Sequence, residues 1–364
     1  MQIKSIINHL ESIAPKPYQE SYDNLGLLTG DPEEELKGVL ITLDVTEAVV
    51  QEALDKNCNL IIAHHPIIFR GLKKLTGKNY VEKVVIKAIR NHLAIYAIHT
   101  NLDNVHAGVN KKISDKIELL NTRILAPKKN LLQKIITFVP TAHTADVLQA
   151  LNEAGAGNIG NYKNCSFRVQ GTGTFEPNEV ANPAIGKKNK LEEVQEDRIE
   201  VIFPAHLEHR IMAALKLHHP YEEVAYYLQN LTNENQEVGS GMTGELPKPM
   251  EETEFLEYLK EKMQLKTIKI TSLLGKPIKK VALCGGAGSF LLSQAIASGA
   301  EVFISSDFKY HEFFDAENKI IIADIGHYES EVYTKDLIYE ILNKYFTNIA
   351  LNLSETVTNP ISYF

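Results

Sequence analysis

Apolar residues in the first third of the chain form short continuous runs that alternate with helical patterns. GVLITLD, residues 38–44, has no polar alternation, which is typical of a parallel strand buried on both faces. TEAVVQEALDKN, residues 46–57, has helical spacing, with Thr46 as a candidate N-cap. The same patterns predict strands at 59–63 and 93–100 and a helix at 80–92. Repeated β-α-β units of this kind predict a parallel sheet with right-handed crossovers.

The last third of the chain repeats this plan. Its patterns predict strands at 279–286, 300–307 and 319–326 and helices at 289–299 and 310–318. Val39 and His64 are as far apart as Val281 and Ser306, although the two segments share little identity. The hypothesis is therefore an α/β outer domain of two pseudo-symmetric β-α-β halves with mainly parallel strands, built from residues 1–130 and 244–364.

The middle of the chain, residues 131–243, has a different pattern. KIITFVP followed by the helical TADVLQALNEAG resembles RIEVIFPA followed by EHRIMAALKLHH. With SFRVQGTGTF and VAYYLQNL as further strands, the predicted order is β-α-β-β-α-β. We therefore expect a ferredoxin-like domain inserted into a loop of the outer domain.

Composition narrows the class of partner. The chain has 364 residues, 44% of them hydrophobic and 23% charged, and a net charge of −8 without a block of lysine and arginine. This charge makes a nucleic acid the least favoured partner. MQIKSIINHLESIAP has apolar residues at helical spacing, which predicts an amphipathic helix and not a signal peptide. No run reaches the ~20 apolar residues of a membrane span, so no membrane partner is expected.

The three cysteines, Cys58, Cys165 and Cys284, are far apart and form no CxxC motif. This spacing favours neither a disulfide framework nor a thiolate zinc site. We therefore expect a cytoplasmic protein in a reducing compartment.

Candidate chemistry lies just after three predicted strands, at the sheet edge where open α/β sheets bind ligands. AHHP follows one strand, HTNLDN another, and DIGHYESEV contains a histidine and a glutamate at i and i+4, which share one face of a helix. The side chains concerned are His64, His65, His99, Asp103, His327 and Glu331.

Imidazoles and carboxylates without a thiolate form a ligand set suited to zinc, iron or manganese. His64, His65, Asp103, His327 and Glu331 are more ligands than one tetrahedral zinc uses, which suggests two divalent ions bridged by Glu331. Each motif also has a plainer interpretation. HHP recurs in KLHHPYEEV, HxxxE arises on any polar helix face, and Asp103 fits an Asx-turn. The common position after strands of one sheet favours a shared site.

Two other features have open interpretations. CGGAGSF, residues 284–290, lies between a strand and a helix and fits either a phosphate site or a tight turn. His311 in SSDFKYHEFF is either an acid/base group that faces the substrate or a histidine on a helix surface. We retain His311, together with His99, as candidate proton-transfer residues.

At these residues the chain resembles a known family. YDNLGLL, TLDVT, IIAHHPIIF, HTNLDN, GSGMTGEL and DIGHYESE resemble, in that order, segments of the GTP cyclohydrolase I type 2 family, also called NIF-three-like proteins. The resemblance runs from about residue 3 to residue 355. It implies a dinuclear metal site at His64, His65, Asp103, His327 and Glu331. It also implies a toroidal homohexamer whose metal sites face an interior cavity.

The middle segment resembles the domain inserted in long members of that family, which is similar to the PII and CutA trimeric proteins. GAGNIGNYKNCSF, GTGTFEP and HHPYEEVAYY carry this second resemblance.

Two functions from different classes follow. The first is a metal-dependent hydrolase that acts on a nucleotide or related small molecule. The alternative is a metal- or metabolite-sensing hexameric scaffold without turnover.

Overall fold

The computed structural model describes all residues, 1–364, and they form two compact units. The first unit contains residues 1–126 and 237–364, and the second contains residues 127–236. None of the helices is long and apolar enough to cross a membrane.

The first unit contains most of the helices and two of the sheets. Its helices are α1 Ile3–Ile13, α2 Glu47–Asp55, α3 Tyr80–Arg90, α4 Thr100–Asp103, α5 Val109–Lys116, α8 Glu252–Met263, α9 Leu292–Ala297, α10 His327–Glu331 and α11 Thr334–Tyr345, besides short 3₁₀ turns. Its strands are β1 Gly26–Thr29, β2 Val39–Thr42, β3 Leu60–Ala63, β4 Ala94–Ala97, β5 Leu120–Lys129, β10 Glu234–Met250, β11 Lys269–Ile270, β12 Ile278–Ala287, β13 Val302–Ser306, β14 Ile321–Asp324 and β15 Leu351–Leu353. The last three residues of β5 and the first three of β10 belong to the second unit.

The two sheets of the first unit have the same strand order over four strands. The five-stranded sheet runs β1-β4-β3-β2-β15 and the six-stranded sheet runs β11-β14-β13-β12-β10-β5. In each sheet three consecutive strands are parallel, β2-β3-β4 and β12-β13-β14, and an antiparallel strand pairs with the last of them. The mixed α/β class that the alternating patterns predict is confirmed.

The structure agrees with the sequence patterns for several elements and differs from them for others. β2, β3 and β4 are fully buried, as their continuous apolar runs require. Thr46 caps α2 because its hydroxyl accepts the backbone N–H of Val49 at 3.2 Å. The predicted helix at 310–318 is instead a 3₁₀ helix, Tyr310–Ala316, and β1, β5, β10, β11 and β15 were not predicted. β1, β11 and β15 are at most four residues long and at least partly exposed, so they lack a periodic apolar signal.

Glu52 on α2 binds the segment that follows β15 through hydrogen bonds. Its carboxylate accepts the hydroxyls of Ser354 and Thr356, each at 2.7 Å, and the backbone N–H of Glu355 at 2.8 Å. Burial alone would raise the pKa of Glu52, but these hydrogen bonds lower it to about 2.

We expect Glu52→Ala to lower the free energy of unfolding by about 2–3 kcal/mol, because three donors, among them the buried hydroxyl of Ser354, lose a charged acceptor. The folded-state pKa of Glu52 is depressed, so its stabilisation is present at neutral pH and is lost as the pH falls towards 2. Urea unfolding at pH 7 and pH 3 measures both effects. Glu47→Gln, at an exposed position of the same helix, is the matched control. Equal stability of the two variants at pH 7 would contradict the prediction.

The second unit is a four-stranded antiparallel sheet with two helices. Its elements are β6 Leu132–Pro140, α6 Thr144–Glu153, β7 Phe167–Phe175, β8 Glu192–Pro204, α7 Glu208–His218 and β9 Tyr226–Leu231, and the sheet order is β7-β8-β6-β9. Its core contains apolar residues of β6, β8, α6 and α7, among them Ile135, Val201 and Ile211.

Candidate metal centre

Predicted site residues follow the strands of the five-stranded sheet. His64 and His65 come directly after β3 and continue its ladder, donating backbone N–H groups to Thr42 O at 3.2 Å and Leu43 O at 2.9 Å. β4 leads through His99 into α4, whose last residue is Asp103. The carboxyl ends of adjacent parallel strands meet at one edge, and the sheet therefore brings these groups together.

The six-stranded sheet contributes the remaining predicted ligands. β14 leads to α10, which begins at His327 and ends at Glu331. The i,i+4 spacing therefore places both side chains on one helix face, with His327 Nε2 3.0 Å from Glu331 Oε2.

The Glu331 carboxylate lies in the middle of the cluster. Its Oε2 is 2.9 Å from His65 Nε2, and its Oε1 is 3.9 Å from His64 Nε2. His64 Nε2 is also 3.5 Å from Asp103 Oδ1. Three groups therefore have ligand atoms within 4.8 Å of one another: His64–His65–His99, His65–His327–Glu331 and His64–Asp103–Glu331.

Each of the three central imidazoles donates its Nδ1–H to an outer acceptor, which leaves Nε2 facing the centre. The pairs are His64 with Ile98 O at 2.9 Å, His65 with Asp44 Oδ1 at 2.7 Å, and His327 with Asp307 Oδ2 at 2.6 Å. Partners of this kind fix the tautomer and orientation of metal-binding histidines. Asp44 was not among the predicted site residues, although it lies in TLDVT, one of the segments that carry the family resemblance.

Without a cation, the charges of the cluster are balanced by protons. Burial alone would raise the pKa of Glu331, but the imidazoles of His327, His64 and His65 hold it well below its usual range. Burial alone would lower the pKa of His65 and of His327, but contacts with carboxylates raise these values to about 10 and about 9. At neutral pH both rings are therefore imidazolium ions, with Nε2 atoms 3.4 Å apart on either side of one carboxylate.

Two atoms of the cluster indicate that a cation fits there. His64 Nε2 and Asp103 Oδ1 are buried and have no hydrogen-bond partner. Burial lowers the pKa of His64 and raises that of Asp103 well above its usual range. A buried imidazole lone pair and a carboxyl oxygen without a donor are unfavourable, and a divalent cation between them would satisfy both.

A cavity of about 430 Å³ opens onto the cluster within the first unit. His99 lines it and donates Nδ1–H to Asp23 Oδ1 at 2.8 Å. Burial alone would raise the pKa of Asp23, but the contact with His99 lowers it to about 2, so Asp23 is ionised at neutral pH. The cavity is also lined by three exposed aromatic rings, those of Tyr22, Phe69 and Phe290.

The other predicted acid/base residue lies elsewhere. His311 is exposed on the 3₁₀ helix that follows β13 and contacts the rings of Tyr310 and Phe314. It does not line the cavity, so the structure brings His99, and not His311, to the cluster.

The glycine loop in CGGAGSF has a local role at the cluster. Gly286 adopts a φ of 64°, and a Cβ there would lie 2.3 Å from Glu331 Oε1. The backbone N–H groups of Gly285 and Gly286 already donate to Asn110 Oδ1 and Ser330 Oγ, each at 2.9 Å. The loop therefore makes room for Glu331, and these two amides are not available to a phosphate.

We expect Asp44→Asn to weaken binding of a divalent cation about 10–100-fold, because the charged carboxylate that fixes the His65 ring is replaced by a neutral and weaker acceptor. The side chain of Asn is nearly isosteric with that of Asp, which limits the effect on folding. Competition against a fluorescent zinc chelator measures the affinity. Asp55→Asn, which removes a carboxylate at the end of α2, is the control, and an affinity equal to that of the wild type would refute the role of Asp44.

Comparison with known proteins identifies the family of this molecule. The family model Duf34/NIF3 (NGG1p interacting factor 3) matches residues 1–360. Proteins named GTP cyclohydrolase 1 type 2 homolog from Bacillus subtilis (strain 168) and Halalkalibacterium halodurans are 36% and 38% identical, over 99% of this chain and 98% of each relative. A Bacillus cereus protein related to NIF3 has a similar structure, with a TM-score of 0.88, 37% identity and coverage of 100% of this chain and 99% of that one. The chain therefore belongs to the Duf34/NIF3 family.

Proposed function

We propose that this protein is a metal-dependent hydrolase that acts on a nucleotide or a related small molecule. The observation that carries the proposal is the pair of buried atoms without partners, His64 Nε2 and Asp103 Oδ1, beside three further inward-facing ligands. The names of the curated relatives, GTP cyclohydrolase 1 type 2 homolog, agree with a nucleotide substrate.

We propose two divalent ions, zinc, iron or manganese, held by His64, His65, Asp103, His327 and Glu331. Two of the ligand groups share Glu331, whose Oε2 faces His65 and His327 and whose Oε1 faces His64. A carboxylate that is shared by two ligand groups could serve as a ligand to both metal ions. Bound cations of this kind lower the pKa of a coordinated water towards ~7 and neutralise negative charge that develops on a substrate.

The residues of the chain itself supply orientation and proton transfer. Asp44 and Asp307 hold the imidazoles of His65 and His327 in place. His99 lines the cavity with Nδ1 fixed by Asp23, so its Nε2 is the candidate atom to accept and return a proton. The rings of Tyr22 and Phe69, with centroids 6.3 Å apart, offer an apolar surface to a planar base.

The activity test uses the full chain loaded with zinc or manganese. Release of formate from GTP, and phosphate release from a panel of nucleotides, report the two reaction types. We expect turnover to be lost after chelation and in His65→Ala, and kept in His209→Ala, which alters an exposed histidine of α7. Circular dichroism shows whether each variant is folded. Turnover that survives chelation would refute the mechanism, and saturable nucleotide binding without product would favour the non-catalytic scaffold.

We further propose that residues 131–243 form an inserted ferredoxin-like domain of the PII/CutA kind and that the outer domain consists of two pseudo-symmetric halves. The β-α-β-β-α-β order and the sheet order β7-β8-β6-β9 support the insert. The matching orders β1-β4-β3-β2 and β11-β14-β13-β12 support the two halves.

We also propose a homohexamer, as the family resemblance implies. Exposed aromatic side chains of the first unit, Phe290, Tyr310 and Phe314, offer an apolar surface for subunit contacts. Light scattering is expected to give six times the chain mass of 40.8 kDa. A monomeric mass would refute this assembly.

A further inference from the structure

A second cavity lies wholly within the second unit and has no part in the proposed hydrolase. It has a volume of about 660 Å³, which is in the range of sites for small organic ligands. Its floor is the face of the sheet opposite α6 and α7. Ile135 and Ile199 face the helices, and Phe138 and Arg198, an odd number of residues away on the same strands, face the cavity.

The chain covers this sheet face with its own loop. Residues 177–185 form the roof, in which part-buried Ala181, Pro183 and Ile185 alternate with exposed residues. The backbone N–H of Asn182 donates to Glu222 Oε1 at 2.7 Å, which ties the roof to the segment before β9. The loop therefore lies over part of this sheet face and leaves an open-sided space between itself and the sheet.

Part of that space results from a missing side chain on β7. Gly171 lines the cavity, and a Cβ built on it would have no atom within 4 Å. Its φ lies outside the left-handed region, so a side chain would cause no backbone strain. Glycine weakens a strand interior, and its usual places there are bulges, tight bends and sites that a ligand or another backbone approaches closely.

The lining combines aromatic rings with an excess of carboxylates. The aromatic side chains are Phe138, Phe175, Tyr221 and Tyr227. The charged ones are Glu176, Glu196, Glu222, Glu223 and Arg198. The guanidinium of Arg198 is already paired with Glu200, its Nη2 lying 2.9 Å from Oε1. The lining therefore disfavours an anion, whereas aromatic faces and carboxylates both attract a cation.

Glu196 is the buried carboxylate of this site. It is only 7% exposed and accepts a hydrogen bond from the Tyr221 hydroxyl at 2.8 Å. Gly173 packs against its Oε2, because a Cβ there would lie only 2.0 Å away. A buried carboxylate with one side-chain donor, beside an aromatic ring, is a suitable partner for an ammonium or guanidinium group.

We propose that this cavity binds a small organic cation, an amine or guanidine on an apolar or aromatic body, with its charged group at Glu196. The cavity provides room for the body, aromatic faces for packing, and a net negative lining for the charge. This cavity shares no lining residue with the cavity at the candidate metal centre.

The test compares three probes of similar shape, titrated into the full chain by calorimetry. Phenethylamine is the cation, 2-phenylethanol the neutral analogue and 3-phenylpropionate the anion. We expect saturable binding of phenethylamine that is about tenfold tighter than that of 2-phenylethanol, with no binding of 3-phenylpropionate.

Two variants locate the site. Gly171→Leu fills the cavity and should abolish binding. Glu196→Gln keeps an acceptor for Tyr221 but removes the negative charge, so it should lower the affinity for phenethylamine to that for 2-phenylethanol. Arg168→Leu, on the opposite face of β7, is the matched control and should bind as the wild type does. Circular dichroism monitors folding, and Glu196→Gln alone decides the test if Gly171→Leu does not fold.

Several results would overturn the proposal. They are the absence of saturable phenethylamine binding, equal affinity for the neutral analogue, and unchanged affinity in Glu196→Gln. A change in subunit number in folded Gly171→Leu, measured by light scattering, would assign the cavity to a neighbouring copy and would also refute it. His65→Ala should bind phenethylamine like the wild type, so loss of the proposed hydrolase and loss of this site are distinguishable.

Discussion

Glu331→Gln is expected to remove essentially all tightly bound divalent metal from the protein. The carboxylate is 4% exposed and contacts His65 and His327 through one oxygen while the other faces His64. An amide is a poor ligand for zinc or iron and carries no charge to balance that of a bound cation. Inductively coupled plasma analysis of purified protein measures the metal content per chain. His64→Ala is expected to lose metal as well, because it removes one of the buried atoms without a partner.

Glu329→Gln is the matched control for this experiment. Glu329 lies on the same short helix, two residues earlier, and accepts a hydrogen bond from Asn359 at 3.0 Å. It belongs to none of the ligand groups. Metal content in Glu331→Gln equal to that in Glu329→Gln would refute the assignment of Glu331 as the shared ligand.

Metal affinity is expected to rise steeply with pH up to about pH 9–10. In the metal-free protein the pKa of His65 is raised to about 10 and that of His327 to about 9. Each imidazolium must lose its Nε2 proton before that atom can bind a cation, so binding releases protons. Between pH 6 and pH 8 the apparent affinity should increase roughly tenfold per pH unit for each proton released.

Calorimetry in buffers of different ionisation enthalpy counts the protons released on binding. The stability of the metal-free fold is also expected to depend on pH. Because the folded-state pKa of His65 is raised, its stabilisation is fully present below its ordinary value near 6.5 and is lost as the pH rises through about 10. Asp44→Asn removes one cause of the raised pKa and should flatten the pH dependence of affinity. Affinity that does not change between pH 6 and pH 8 would contradict this description of the cluster.

Much of the site could be predicted because it depends on local rules. A continuous apolar run identifies a buried strand, and polar side chains directly after it lie at the sheet edge where ligands bind. This rule selected His64, His65 and Asp103. Helical spacing selected His327 with Glu331, because i and i+4 share a face whatever the rest of the fold does.

The carboxylates that hold the imidazoles of His65 and His99 in place could not be selected in this way. Asp44 and Asp23 are single carboxylates next to a strand end or in a loop, and such residues are common in proteins. Their roles depend on hydrogen bonds to His65 and His99, which are 21 and 76 positions away. His311 lies exposed on a 3₁₀ helix and does not line the cavity, and the local sequence pattern does not distinguish such a position from one that faces the cluster.

The order of apolar and polar residues by itself determined the α/β class, the buried parallel strands and the kinds of side chain at their ends, because these follow from the neighbours of each residue. Only the tertiary structure decided that Glu331 lies between His65 and His327, that Gly286 makes room for it, and that His64 Nε2 and Asp103 Oδ1 are buried without a partner. The physical reason is distance along the chain. His65 and Glu331 are 266 positions apart, and only the packing of the two sheets brings their atoms to 2.9 Å.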